Sequence, residues 1–413
     1  MVKIGYKQTE IGVIPDDWGV ALLNDICQFI GGGTPSKKVL EYWDGDIPWI
    51  SSSDLCEHDI RSININRYIT EKAVSSSATQ KCPPGTILIV SRVGVGKIAL
   101  SNYEICTSQD FTNVVPKEHD PLFLTYLLVP IMRSKENEAQ GTSIKGITTE
   151  SIRQIKVSVP PVVEQECIAE SLSDIDNMIT SLEKLITKKK AIKQGAMQEL
   201  LTGKKRLPGF SGEWRNINLS KKSKIKARIG WQGLTASEYL DSGFAYLVTG
   251  TDFLNGKIDW GCCHYVAKDR FDQDKNIQIQ NNDILITKDG SLGKTALVKE
   301  LNKPATLNSG VFVIRPIQES YDPTFVYYIL SSFVFKDFLD HLSAGSTIIH
   351  LYQKDISKFE FAIPPTKEEQ TAIASILSDI DSVIEALEQK LEKAHQIKQG
   401  MMQQLLTGKI RLM

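Results

Sequence analysis

Apolar residues recur at Ile168, Leu172, Ile175, Ile179, Leu182 and Ile186, and again at Ile373, Leu377, Ile380, Ile384, Leu387 and Leu391. The steps alternate between four and three, which is the a/d seam of a heptad. Pro160-Pro161 and Pro364-Pro365 open the two stretches, and Gly203 and Gly408 close them. Proline suits a helix start and glycine its exit. Each helix then runs about 38 residues, on the order of 57 Å at the α-helical rise. A single surface helix facing a core produces a similar stripe. The length, the regular period and the presence of two copies favour helices that pack on each other. Lys188, Lys189, Lys190 and Lys193 interrupt the first seam late.

The two stretches are copies of one another. Both pass through Glu-Gln (Glu164-Gln165, Glu369-Gln370), share Leu-Ser-Asp-Ile-Asp from Leu172 and from Leu377, and end in Leu-Leu-Thr-Gly-Lys at Lys204 and Lys409. More than half of the aligned positions are identical, beyond what shared helical composition gives. The segments ahead of the helices are related more loosely. Thr86-Ile-Leu-Ile-Val90 answers to Asp283-Ile-Leu-Ile-Thr287, Asp120-Pro121 to Asp322-Pro323, and Gly141-Thr-Ser-Ile144 to Gly345-Ser-Thr-Ile348. Within a module, the apolar runs at 86–90, 113–116 and 156–159 predict short strands, and 122–139 predicts a helix. The fold class is α+β, arranged as module, helix, module, helix. The helices stay alike while the modules drift apart, as expected of a scaffold that must fit itself and of two modules aimed at different targets.

Composition narrows the function classes. With 413 residues the chain suits several folding units, and 41% hydrophobic and 23% charged residues suit a globular protein. No signal-length apolar region stands before Trp18 and no run of about 18 apolar residues follows, so a cytoplasmic location with no membrane contact is expected. Seven scattered cysteines without a CxxC, and six histidines without HxxH or HxxxH, give no disulfide framework and no zinc site. A net charge of -1 excludes a bulk polycation, so any nucleic-acid surface is a local patch.

Taken in order, Gly31-Gly-Gly-Thr-Pro-Ser36, Tyr42-Trp43, Ile47-Pro-Trp-Ile50, Ser91-Arg-Val-Gly-Val-Gly-Lys97, the Pro-Pro to Glu-Gln helix start and the Leu-Leu-Thr-Gly-Lys exit resemble the type I restriction-modification specificity subunits over essentially the whole chain. The resemblance implies two target-recognition domains, 1–163 and 204–367, each followed by a spacer helix, 164–203 and 368–413, the helices pairing as an antiparallel coiled coil. It implies that each domain reads half of a bipartite, asymmetric double-stranded DNA site. The helices act as a ruler for the gap. Two methyltransferase subunits and two ATP-dependent translocase and nuclease subunits are the implied partners, and they use S-adenosylmethionine, ATP and Mg²⁺; this chain is expected to bind no cofactor. The second module departs from the pattern, with Lys226-Ala-Arg-Ile-Gly-Trp-Gln232 in place of the glycine loop. Because Gly203 breaks the helix, four residues inserted after Leu201 are expected to lengthen the gap and leave the seam in register.

Catalytic motifs are missing. Gly290-Ser-Leu-Gly-Lys-Thr295 ends like a P-loop but its glycines are too close, and the paired copy lacks the hydroxyl that would meet Mg²⁺. No Asn/Asp-Pro-Pro-aromatic tetrapeptide appears, and Glu388-Gln-Lys390 falls on a helix face. The chain therefore reads as non-catalytic. For DNA contact, the candidates in the first module are Gly32, Thr34, Pro35, Ser36, Lys37, Lys38, Arg92, Gly94, Lys97, Thr142, Ser143 and Lys145. In the second they are Lys221, Lys222, Lys224, Lys226, Arg228, Trp231, Gln232, Lys288, Lys294, Ser346, Thr347 and His350. Glycines let backbone amides approach phosphates, and basic or hydroxyl side chains complete such a surface. Trp43, Trp49 and Trp260 are expected in the core. The competing reading is a duplicated adaptor that binds only proteins.

Overall fold

The computed structural model describes residues 4–57, 59–138, 146–343 and 350–412. Two compact units cut across chain order, Met1–Glu183 with Gln389–Met413, and Lys184–Glu388. Each therefore holds one module, the first half of the helix that follows it and the second half of the other long helix.

In the first unit, strands β1 (Cys27–Gly31), β2 (Ile47–Ile50), β3 (Thr86–Val90), β4 (Ile98–Ser101), β5 (Ile105–Thr107) and β6 (Phe111–Pro116) precede helix α1 (Pro121–Glu138), strand β7 (Lys156–Val159) and the long helix α2 (Val162–Leu200). One antiparallel sheet runs β1-β6-β3-β4, and β5 pairs parallel to β2 in another. Every residue of β3 is buried because both of its faces are covered. Ile87 and Ile89 pack with Phe123, Leu124 and Leu127 of α1, while Leu88 and Val90 pack with Ile50 and Ile105. Strand β7 pairs with Gly19–Leu22 near the start of the chain, so the module closes on itself before α2 begins.

The second unit repeats this plan. Strands β8 (Ser223–Ala227), β9 (Ala245–Val248), β10 (Ile284–Thr287), β11 (Thr295–Leu297), β12 (Ala305–Leu307) and β13 (Val311–Pro316) give the sheet β8-β13-β10-β11 and a parallel β9-β12 pair. The single helix α1 is replaced by α3 (Pro323–Leu330) and α4 (Phe333–Ser343), split where Ser332 Oγ accepts a hydrogen bond from the Val334 amide at 3.2 Å. Strand β14 (Glu360–Ile363) closes the module on Arg215–Asn218 and leads into the long helix α5 (Lys367–Leu405).

The expected seam is buried at eight of its twelve positions and half-buried at Leu182, Ile380, Leu387 and Leu391, with two kinds of cover. Ile175, Ile179 and Leu182 of α2 meet Leu391, Ala394 and Met401 of α5, which makes the pairing antiparallel. Ile168 and Leu172, and in the second unit Ile373 and Leu377, sink instead into module cores. Leu405 and Leu406 join the first of those cores, and Leu200 and Leu201 the second. Two of the lysines that interrupt the first seam find carboxylates, Lys193 with Asp381 at 2.6 Å and Lys190 with Glu388 at 2.8 Å, and Lys398 of α5 pairs with Asp176 at 2.6 Å in the same way. Asp176 and Asp381 also accept the hydroxyls of Tyr126 at 2.6 Å and Tyr328 at 2.8 Å. In each unit, then, one carboxylate ties the module to both helices.

Glu-Gln at the helix starts has a structural cause. Gln165 donates to Pro160 O at 2.8 Å and accepts from the Asp120 amide at 3.0 Å, and Gln370 repeats both bonds with Pro364 and Asp322. Glu164 accepts from Trp18 Nε1 at 2.9 Å and twice from Arg411, at 2.6 and 2.8 Å. Glu369 accepts twice from Arg206, at 2.6 and 2.7 Å. The exit of one helix thus clasps the start of the other. The exit glycines adopt φ +70° and +68°, and a Cβ on Gly203 would lie 3.2 Å from the Trp214 ring. This corrects the expectation for an insertion after Leu201: that point lies in the core of the second unit, so added residues there would disrupt packing before they lengthened anything.

Cys27 and Cys82 are buried and their thiols are pushed up to about 12 by burial; the Cys106 thiol rises to about 11 for the same reason. Cys56 is exposed. In the folded protein at pH 8, iodoacetamide is expected to label Cys56 while Cys27, Cys82 and Cys106 stay unmodified until denaturant is added, as peptide mass spectrometry would read.

Candidate nucleic-acid interface

In the first module the glycine loop follows β1. Gly32 and Gly33 are required by space, since a Cβ would come within 1.9 Å of Ser108 O and 2.3 Å of the Thr79 amide. The Gly33 amide donates to Thr107 O at 2.8 Å. Two indoles hold the loop from below: Trp49 Nε1 donates to Gly33 O at 2.9 Å and Trp43 Nε1 to Ser36 O at 3.2 Å. Trp49 is buried and carries the Arg67 guanidinium 4.7 Å over its ring, and Arg67 in turn pairs with Asp54. Of the three tryptophans expected in the core only Trp49 is buried; Trp43 and Trp260 are half-buried and pack at the edges of their clusters, and Trp43 and Trp49 together shape this loop.

The structure separates the loop's candidates. Thr34 is half-buried and Ser36, Lys37 and Lys38 are exposed, but Pro35 is buried. As a DNA contact Pro35 is therefore corrected: it packs inward while its neighbours face solvent. After β3, Arg92 and Gly94 are exposed, with Gly94 at φ +85°. Lys97 is spent on the protein, donating to Leu55 O at 3.2 Å. Thr142, Ser143 and Lys145 lie outside the described residues. The chain just beyond them returns to the same place, because the Ile147 amide donates to Ser91 O at 2.7 Å.

A turn that the sequence reading passed over joins these loops. Ser91 and Arg92 amides donate to Asp110 O at 2.8 and 3.3 Å, and Ser108 Oγ donates to Asp110 Oδ2 at 3.1 Å. Thr34 Oγ1 donates to Gln109 Oε1. The signal was only Ser-Gln-Asp between two strands, and nothing in the linear sequence says that this turn sits between residues 34 and 91.

In the second module, Arg228 follows β8 where Gly32 follows β1, and it is 2% exposed. Its Nε donates to Leu307 O at 2.8 Å and its Nη2 to Thr306 Oγ1 at 3.2 Å, replacing the backbone bond made by Gly33. Burial, and after it the neighbouring Arg270, pull its pKa below the ordinary arginine value. Arg228 is corrected from DNA contact to internal brace, since its donors are engaged and solvent does not reach it. Gln232, 6% exposed, is corrected because it too is buried, although its Oε1 has no hydrogen-bond partner among the described residues. The Trp231 side chain lies outside the described residues. Lys222, Lys224 and Lys226 are exposed. The last two alternate with buried Ser223 and Ile225 along the edge strand β8, so they form a ridge on its outer face.

Lys288 lies 5.5 Å over the Phe312 ring, and Lys294 is exposed. Ser346 and Thr347 lie outside the described residues. His350 pairs with Asp289, and the Leu351 amide donates to Lys288 O at 2.8 Å, the counterpart of the Ile147 bond. In both modules the same three chain segments therefore meet at one pole, with different side chains on them. Among the described residues no group of three or more His, Cys, Asp or Glu could hold a metal ion. No described helix is long and apolar enough to cross a membrane.

Two like modules that share a helix pair, each presenting a pole of loops with basic and hydroxyl side chains, define a tandem recognition protein. Residues 15–194 and 233–396 match the family described as type I restriction modification DNA specificity domain, and the chain belongs to that family. It is 28% identical over 429 residues to a putative type I restriction enzyme MjaX specificity subunit of Methanocaldococcus jannaschii, covering 98% of this chain and 97% of that one. The MjaIX specificity subunit of the same organism is 34% identical over 183 residues, 43% of this chain and 42% of that one. The crystal structure of the type I restriction-modification S subunit from M. genitalium superposes with a TM-score of 0.61 at 15% identity, covering 94% of this chain and 96% of that one, which supports the fold.

Proposed function

We propose that this chain reads a bipartite, asymmetric double-stranded DNA site, each module taking one half through its pole of loops, and that the site directs adenine methylation and restriction by partner subunits. The supporting observation is that the two poles are built from the same segments in the same register yet carry different side chains, Arg92 against Asp289 and Gln109 against Ser309. Catalysis, and the use of S-adenosylmethionine, ATP and Mg²⁺, fall to two methyltransferase and two translocase-nuclease subunits. The work is done in the cytoplasm. Electrophoretic mobility shift with the methyltransferase subunit present tests the reading: a specific complex should weaken on the order of 10³-fold between 50 and 200 mM salt if about six phosphates are contacted. An adaptor that binds only proteins gives no complex that depends on DNA sequence.

The partner face is proposed from a second heptad stripe. Met178, Leu185 and Ile192 on α2, and Ile376, Val383 and Ile397 on α5, are exposed at positions separated by sevens or multiples of seven. Exposed apolar rows on a helix suit helices from a partner. Leu185→Glu is expected to weaken association with the methyltransferase subunit at least tenfold while leaving the melting temperature within about 2 °C. Analytical size exclusion and a thermal melt would check both halves.

A further inference from the structure

We infer that Gln109 reads an adenine in the half-site of the first module, with Thr34 as its positioning residue; this rests on the DNA-reading function proposed above. Gln109 is exposed, while its neighbour Ser108 is buried. The turn that carries it is fixed by the Asp110 carbonyl, which takes amides from Ser91 and Arg92, and by the Phe111 amide on Ser108 O at 3.2 Å. Its carboxamide is oriented as well. The Thr34 hydroxyl donates to Oε1, which leaves one lone pair on that oxygen, and both Nε2 protons are without a partner among the described residues. Thr34 itself is set by a loop held between Trp49, Trp43 and the strand end at Thr107.

A fixed carboxamide with one acceptor position and two donors matches the major-groove edge of adenine, accepting from N6 and donating to N7. The neighbouring exposed Arg92, Lys37 and Lys38 supply charge for the phosphates around such a base. Register isolates the position. Phe111 pairs with Val90 and Val311 with Thr287, so Gln109 corresponds to Ser309, which is half-buried and whose hydroxyl donates to Asn308 Oδ1 at 3.1 Å. A side chain that differs between two modules at the same place on the pole is where different half-sites would be distinguished.

The test uses the complex with its methyltransferase subunits and a DNA library randomised through both half-sites, read by sequencing of methylated molecules. Gln109→Ser borrows the residue that the second module already carries at this turn, so folding is retained; a thermal melt confirms it. The expected result is loss of adenine preference at one position of one half-site, by roughly 5- to 150-fold, the range of one bidentate contact. The other half-site is unchanged. Thr34→Val gives a smaller loss at that same position, and Thr34→Ser restores it. Unchanged preference in Gln109→Ser, or a loss of methylation spread evenly over all sequences, overturns the inference while leaving the DNA-reading function standing. If the unsubstituted complex shows no bipartite preference, the function proposed above fails, and this inference with it.

Discussion

Replacing Glu369 with alanine is expected to destabilise the second unit by about 4 kcal/mol, within the range for breaking a buried ion pair. The carboxylate is 1% exposed and takes two hydrogen bonds from Arg206, whose other bond among the described residues is to the Gly212 carbonyl. Without Glu369 the guanidinium keeps no carboxylate. The matching change in the first unit, Glu164→Ala, should cost a similar amount, about 4 kcal/mol, because Arg411 retains Asp17 at 2.7 and 2.9 Å but the buried Trp18 indole N–H loses its acceptor. Urea unfolding of both variants, with the Glu369→Ala/Arg206→Ala double variant to close a cycle, measures the effect. A loss below about 1 kcal/mol for Glu369→Ala would mean that the clasp between helix exit and helix start is only a surface pair.

Adding seven residues to each long helix, between Glu183 and Lys184 and between Glu388 and Gln389, should lengthen the gap between half-sites by about three base pairs. Those are the points where the compact units divide the helices, so neither module core is opened. Seven residues keep the heptad phase and add about 10 Å. DNA rises about 3.4 Å per base pair. Three base pairs also turn the duplex by about a third of a revolution, so methylation should slow even as the preferred gap moves. Both half-sites should be unchanged. A preferred gap that stays where it was, in a complex that still methylates, would remove the helices from any measuring role.

The sequence placed the large features well, for a physical reason: periodicity is a local signal. The seam from Ile168 to Leu391, the run at 86–90 and the strand at 156–159 all appear as read. What periodicity does not contain is the identity of the covering surface. Ile168 and Leu172 follow the same heptad as Ile175 and Ile179, yet the first pair lies in a module core and the second against the other helix. The antiparallel pairing of carboxylate and lysine, Asp176 with Lys398 and Asp381 with Lys193, explains why lysines interrupt the seam without opening it.

The interface was harder to read. Glycines and lysines mark loops, and the loops were placed correctly at 31–38 and 92–97. A side chain's direction depends on which strand ends lie beside it, and that is set by the β5 to β2 pairing across more than fifty residues. Arg228 and Gln232 looked like DNA contacts because they stand where the glycine loop should be. They are buried because, without those glycines, a guanidinium fills the space next to Thr306 and Leu307. Gln109 was invisible for the converse reason: one polar residue in a three-residue turn has no pattern to announce it.

The central claim is that two diverged modules on one helix pair read two different half-sites. Long-read sequencing of modified bases in DNA from cells expressing the chain with its methyltransferase subunits tests it most directly. The account predicts a single methylated motif in two specific parts, unlike each other and separated by a fixed run of unspecified bases. A contiguous motif, or a palindrome, would contradict it.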